Sequence, residues 1–281
     1  MLLLDGKKLS EKRLSALKKE VEEHYEKTKT RPGLAVIRIG DNPASKVYVG
    51  KKVKACHDVG IHSVEVLFPE SVSEEKVLTE VEKLNRDPAI NGILIQLPIP
   101  KHLSEKVLME RMNPKKDVDG FHPLNRGKFL AGDDALIPCT PLGIMNLLKE
   151  YKIEIKGKSA LVIGRSLIVG RPMSLLLDQA GATVTVAHSQ TKNLEELCER
   201  ADIIVVAIGK PHFLSSQKIK AGAVIIDVGI NRLESGKLVG DVDFEKYKSI
   251  ASAITPVPGG VGPMTICSLL ENTWKSFLNT Q

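Results

Sequence analysis

Two rhythms of apolar residues alternate along this chain. Leu34–Ile39, Ser63–Phe68 and Gly92–Leu97 are apolar-rich runs of strand length and read as strands. Around them the apolar residues fall three to four apart. From Leu9 to about Tyr25, Leu14, Leu17 and Val21 share one face and Lys and Glu fill the others, which predicts an amphipathic helix. Asp41-Asn42-Pro43 offers a capping side chain and then a first-turn proline, so a second helix is predicted from there to about Val59, where Gly60 stops it. Glu74–Leu84 and Leu103–Met112 read as further helices, and Lys116 to Thr140 as a loop-rich passage.

The alternation resumes after a helix predicted over Gly143–Tyr151. Leu161–Ile163 is a short buried strand ending on Gly164. A loop follows, then a helix with Pro172 in its first turn that stops at Gly181, then a strand over Thr183–Val186. Strand, loop, helix and strand in this order form the opening unit of a dinucleotide fold. A helix (Leu194–Arg200), strands (Ile203–Ala207, Ala223–Val228, and a short one within 251–254) and a last helix from about Met264 to Phe277 complete the pattern. Both halves are therefore expected to be α/β, doubly wound or three-layered. At 281 residues the chain is long enough for two domains, each with its own core.

The loop after Leu161–Ile163 departs from the usual G-x-G-x-x-G. With Gly164 as its first glycine, residues 166 and 169 are Ser and Val, and the next glycine is Gly170. An ordinary βα turn and a dinucleotide loop both remain open on this segment alone. NAD-specific units carry an acid near the end of the second strand; here that strand runs into Ala187, His188 and Ser189, with Lys192 close behind. Hydroxyl and basic groups there accept a 2′-phosphate, so a bound dinucleotide is expected to be NADP.

Charge narrows the partners. The formal charge is +6, but the lysines are dispersed and aromatics make up only 4%, which favours anionic small molecules over nucleic acid. Cys56, Cys139, Cys198 and Cys267 form no C-x-x-C pair, so neither a zinc site nor a disulfide framework is expected. Met1–Leu4 is too short for a signal sequence and no window approaches a membrane span; a cytoplasmic protein is expected.

Candidate chemistry lies in both halves. On the helix after Pro43, Ser45, Tyr48, Lys52 and Cys56 share a stripe, with Val49 and Val53 beside it. A desolvated Lys52 would lose some of its preference for the charged form and could transfer protons; the alternative is a partly exposed packing pair with Tyr48. Gln96 ends a buried strand, where ligands bind in open α/β sheets, or else satisfies loop backbone. Asp117 and Asp119 flank Val118 ahead of Gly120, so one is expected to turn inward. The glycine-rich Pro258–Pro263 either lies against a ligand or forms a helix-entry turn.

Taken together, these residues resemble the bifunctional methylenetetrahydrofolate dehydrogenase/methenyltetrahydrofolate cyclohydrolase family over nearly the whole chain. The resemblance rests on Asp41–Cys56, Gln96-Leu97-Pro98, Lys116–Phe121, Pro138-Cys139-Thr140-Pro141, Gly164–Pro172, Asp227–Arg232 and Thr255–Thr265. It implies a folate-binding catalytic domain over 1–139, joined by the last helix (about 264–281). A Rossmann-like NADP-binding domain over 140–263 and a cleft between the two are also implied. Lys52 would be the catalytic lysine, with Tyr48 orienting the folate, Gln96 bonded to the lysine, and Asp119 anchoring the pterin beside Gly120. Leu97, Pro258, Gly259 and Gly260 would border the substrate. Gly164, Arg165, Ser166 and Ser189 would hold the cofactor, with Ile230 by the nicotinamide. The resemblance further implies tetrahydrofolate derivatives as substrates, a homodimer, and no metal, nucleic acid or membrane partner. A dehydrogenase with little cyclohydrolase activity, one using NAD, and a non-catalytic NADP or folate binder are the alternatives.

Overall fold

The structure, a computed structural model, describes residues 1–280. Its elements in chain order begin with β1 (Leu2–Leu3), α1 (Gly6–Thr28), β2 (Gly33–Ile39), α2 (Pro43–Val59), β3 (His62–Phe68), α3 (Glu74–Arg86), β4 (Gly92–Ile95), α4 (Glu105–Arg111), α5 (Pro123–Ala131) and α6 (Cys139–Glu150). There follow β5 (Ser159–Ile163), α7 (Gly170–Gln179), β6 (Thr183–Ala187), α8 (Leu194–Arg200), β7 (Ile203–Val206) and β8 (Val224–Asp227). The chain ends with β9 (Asn231–Arg232), β10 (Leu238–Val239), α9 (Phe244–Tyr247), β11 (Ala253–Ile254) and α10 (Val261–Leu278). It divides into two compact units: Lys12–Cys139 with the segment from Ile266 onward, and Met1–Glu11 with Thr140–Thr265.

The first unit is built on a parallel sheet in the order β3-β2-β4. All of β2 and β4 is buried, in keeping with a sequence that is apolar but for Arg38. Leu34, Val36 and Leu94 pack with Leu17 and Val21 of α1, Val49, Cys56 and Val59 of α2, and Ile266, Leu269 and Leu270 of α10. At the C-terminal end of β4 the ladder continues one residue further, Gln96 N donating to Ile37 O at 2.9 Å, while its side chain leaves the sheet.

The second unit carries a six-stranded parallel sheet in the order β1-β11-β8-β7-β5-β6. The order reverses at β5, whose neighbours β6 and β7 lie on opposite sides. Ligands of open α/β sheets bind outside the strand ends at such a switch point.

Two expectations need correction. Residues 1–11, expected with the first domain, belong to the second unit, because Leu2 and Leu3 pair with Ala253 and Ile254. Two residues are too few for a periodic signal; only the distant partner makes them a strand. The passage Lys116–Thr140 also holds a helix, α5. Leu124 and Leu130 on it are 49% and 70% exposed, so its apolar residues do not mark a buried face. Its N-cap is a histidine, His122, whose Nδ1 accepts from Leu124 N at 3.0 Å.

Candidate active site

The register of α2 is set at its first turn. Asn42 Oδ1 accepts from Ala44 N and Ser45 N at 3.0 and 3.1 Å, Pro43 follows, and Gly60 closes the far end by donating to Cys56 O and His57 O. This turns Ser45, Val49, Lys52, Cys56 and Val59 inward and leaves Tyr48 half-buried at the margin of that face.

Lys52 is only 6% exposed, and its Nζ donates to Gln96 Oε1 at 2.9 Å. Gln96 Nε2 donates to Leu97 O at 2.7 Å, which holds the amide with its oxygen towards the lysine. Burial lowers the Lys52 pKa, while the Asp119 carboxylate pulls it back up. Asp119 is affected in the opposite sense: burial raises its pKa, and Lys52 and a hydrogen bond with Cys139 hold it down. Lysine and carboxylate thus each offset part of the other's loss of hydration, while Gln96 Oε1 accepts from the amine. Ser45 Oγ is buried in the same unit with no hydrogen-bond partner.

Of the two aspartates, Asp117 is the structural one. It is fully buried and accepts from Phe121 N, His122 N and Asn125 Nδ2 at 3.0, 2.7 and 2.8 Å, tying the turn to α5. Burial outweighs these bonds and pushes its pKa up to about 6. Cys139 and Asn272 escaped the sequence reading of this site. Cys139 Sγ donates to Val118 O at 3.2 Å, and Asn272 Nδ2 donates to Val118 O and Ile137 O, both at 2.9 Å. Asn272 lies 154 positions from Val118, so no local pattern could connect them.

In the second unit the predicted cofactor residues all fall at the C-terminal ends of strands. Gly164 follows β5 with φ +122°, and a Cβ there would stand 2.3 Å from Ala207 O. A Cβ at Gly170 would stand 2.2 Å from Gly164 O, so the loop folds tightly back on itself. This explains a glycine spacing of six rather than the usual pattern. Ser166 Oγ accepts from Val169 N and Gly170 N at 3.2 and 3.3 Å, while Arg165, Ser166 and Leu167 are exposed. Alongside, Gly164 N donates to Ala187 O, and a turn closed by Thr191 N to His188 O presents Ser189 outward. Residues 187–192 contain no carboxylate. An exposed arginine and serine without an acid suit a 2′-phosphate.

Ile230 follows β8 and is 41% exposed. Pro258, Gly259 and Gly260 follow β11, where Lys7 N donates to Gly259 O at 2.8 Å. A Cβ at Gly6 would stand 1.9 Å from Gly260 O, so the glycine-rich passage is seated against the start of α1.

Two family models divide the chain between them: the tetrahydrofolate dehydrogenase/cyclohydrolase catalytic domain matches residues 4–119, and the NAD(P)-binding domain of the same description matches 138–281. The chain belongs to this family. A relative from Acetivibrio thermocellus, the "Bifunctional protein FolD", is 54% identical over 98% of this chain and 96% of its own. The crystal structure of the bifunctional enzyme FolD from Campylobacter jejuni is 50% identical, covers 100% of both chains and superposes with a TM-score of 0.97. The Trypanosoma brucei methylenetetrahydrofolate dehydrogenase-cyclohydrolase, solved with NADP cofactor and inhibitor, is 36% identical over 99% of this chain and 98% of that one, with a TM-score of 0.96.

Proposed function

We propose that this protein oxidises 5,10-methylenetetrahydrofolate to the 5,10-methenyl form with NADP⁺ and hydrolyses that product to 10-formyltetrahydrofolate. The observation that carries the reading is the buried Lys52, bonded to Gln96 at 2.9 Å and facing the charge of Asp119.

NADP⁺, when bound, supplies the hydride acceptor, and the methylene carbon becomes a cationic methenyl carbon. Arg165 and Ser189, with Lys192, take the 2′-phosphate, and Ser166 holds the loop that receives the dinucleotide. Asp119 and Gly120 anchor the pterin, Tyr48 packs against it, and Leu97 borders the substrate. A permanently charged lysine beside a cationic carbon would be unfavourable. The lowered pKa of Lys52 makes its neutral form accessible, and Gln96 keeps Nζ in place in either state. In the second reaction water adds to the cationic methenyl carbon and releases one proton to solvent; the resulting hydroxyl gives up its own proton as it becomes the formyl oxygen, one ring nitrogen takes a proton, and the bond between that nitrogen and the carbon breaks. Lys52 relays these protons.

The reading extends to a cytoplasmic homodimer. All four cysteines are free and buried, as a reducing compartment allows, and β6 leaves one edge of its sheet unpaired. Light scattering on the purified protein checks the dimer. The activity is tested by following NADPH formation and methenyl absorbance from methylenetetrahydrofolate. NADPH should appear together with a methenyl signal that then decays. Absence of NADPH formation overturns the dehydrogenase, and a methenyl signal that persists at its uncatalysed lifetime overturns the cyclohydrolase.

A further inference from the structure

Two buried carboxylates in the second unit take no part in the chemistry above. Asp227 ends β8, and Asp241 lies between β10 and α9; they are 3% and 0% exposed. Asp241 Oδ2 accepts from Ile208 N and Gly209 N at 2.7 and 2.8 Å, and its Oδ1 from Lys210 N and Asn231 Nδ2 at 2.9 and 2.8 Å. Asp227 accepts from Gly229 N, Asp241 N and Val242 N at 2.9, 2.9 and 3.0 Å. The fit leaves no slack: a Cβ at Gly229 would stand 2.2 Å from Asp241 Oδ1, and one at Gly240 1.7 Å from Asp227 Oδ2.

Burying carboxylates is costly unless their oxygens are hydrogen-bonded. What distinguishes this pair is where the donors come from. Ile208–Lys210 follow β7 and Gly229–Asn231 follow β8, both at the ligand-binding edge of the sheet. Within the second loop Gly229 is fastened to Asp227 and Asn231 to Asp241. The residue between them, Ile230, is 41% exposed. An apolar side chain is thus held out to solvent on a backbone clamped on either side.

We propose that Asp241 is a positioning residue for hydride transfer, setting the loops after β7 and β8 so that Ile230 meets the nicotinamide in a fixed place. The inference rests on the reading of Ile230 as a cofactor neighbour. Removing Asp241 itself strands four donors and risks unfolding, so the test acts at its one side-chain partner. Asn231→Ala removes that bond and leaves the backbone bonds intact.

In the protein without cofactor, amide exchange at Ile230 should quicken in Asn231→Ala by roughly tenfold or more, because one anchor of its loop is gone. Dehydrogenase kcat should fall about 5- to 20-fold with KM for NADP⁺ changed less than about threefold, since misplacement costs the reaction more than binding. Hydrolysis of methenyltetrahydrofolate, assayed without dinucleotide, should stay within about twofold by the same argument. If Asn231 acts through Ile230, the double variant with Ile230→Ala should be no slower than Ile230→Ala alone. Multiplying effects, an unchanged dehydrogenase in Asn231→Ala, or equal losses in both activities overturn the proposal. A wild-type dehydrogenase rate in Ile230→Ala overturns the placement of the nicotinamide and the proposal with it. A slow Ile230→Ala beside a normal Asn231→Ala overturns the positioning role alone.

Discussion

The Lys52 site and the loop after β5 solve different problems with different materials. At Lys52 the working groups are side chains, withdrawn from water and adjusted against one another: amine on amide oxygen at 2.9 Å, carboxylate and amine shifting each other's proton affinity. At Gly164–Gly170 the work is done by backbone folded too tightly for any side chain, and the charged group, Arg165, stands in solvent. The first arrangement lowers the lysine's preference for its charged form and raises the carboxylate's preference for its neutral one. The second leaves an exposed arginine on a tightly folded backbone. A substitution in the first should therefore damage chemistry, and one in the second should damage affinity.

The largest expected effect is at Lys52. Lys52→Met keeps the stem and removes the amine; cyclohydrolase activity should fall by ~10²–10⁴-fold, the usual contribution of a positioned acid or base. Dehydrogenase activity should fall less, so methenyltetrahydrofolate should accumulate in a progress curve that reads NADPH and methenyl absorbance together. Wild-type hydrolysis in this variant would leave Lys52 as a packing residue and remove the contrast between the two regions.

Next comes the carboxylate that supports the buried site. Asp117 sits at about 6 when folded against an ordinary value of 3.8, so the folded chain holds its proton between those values. Its contribution to stability is fullest below pH 3.8 and is lost as the pH rises through 6. Asp117→Asn should be less stable throughout, because its amide turns N–H groups towards donors. The gap to wild type should narrow from pH 4 to pH 7 by up to about 3 kcal/mol. Urea unfolding at four pH values in this range measures it; a gap that widens means the three donors keep the carboxylate ionised.

On the exposed side, Arg165→Ala should raise KM for NADP⁺ far more than for NAD⁺. One charge-assisted contact is worth about 1.5–3 kcal/mol, or roughly ten- to a hundredfold. Equal losses with both cofactors would put the 2′-phosphate elsewhere. The smallest effect is at Asn42, whose side chain caps the helix that carries Lys52. Asn42→Ala should cost about 1 kcal/mol in thermal unfolding. Cyclohydrolase kcat should follow only if the cap also sets the lysine's position.

The two regions also differ in how much of them the sequence discloses. Helix α2 announces itself at both ends, Asn42-Pro43 and Gly60, and its inward stripe can be counted off in threes and fours. That Lys52 meets Gln96 cannot be counted off, because they stand 44 positions apart with β3, α3 and β4 between them. Asp117 and Asp119 look alike in sequence; only the donors of Phe121, His122 and Asn125 single out Asp117 as the anchor of the turn. The loop after β5 defied the general glycine pattern, since its second close approach is between Gly170 and the carbonyl of Gly164, a fact of three dimensions. Helix α5 and strand β1 stayed hidden for simpler reasons: one leaves leucines exposed, and the other is two residues paired to a strand 251 positions away.

That last pairing bears on how the chain is made. Leu2 and Leu3 wait for Ala253 and Ile254, and the core around β2 waits for Ile266, Leu269 and Leu270. The second unit is not complete until Thr265 has been synthesised, and the first not until the final helix has. At ~5–20 residues per second, the roughly 130 residues between Cys139 and Ile266 take on the order of ten seconds to emerge. For that time Leu34, Val36 and Leu94 lack part of their cover on a ribosome-bound chain. A nascent chain stalled before Ile266 should be cut by protease within the first unit, whereas the released protein should resist.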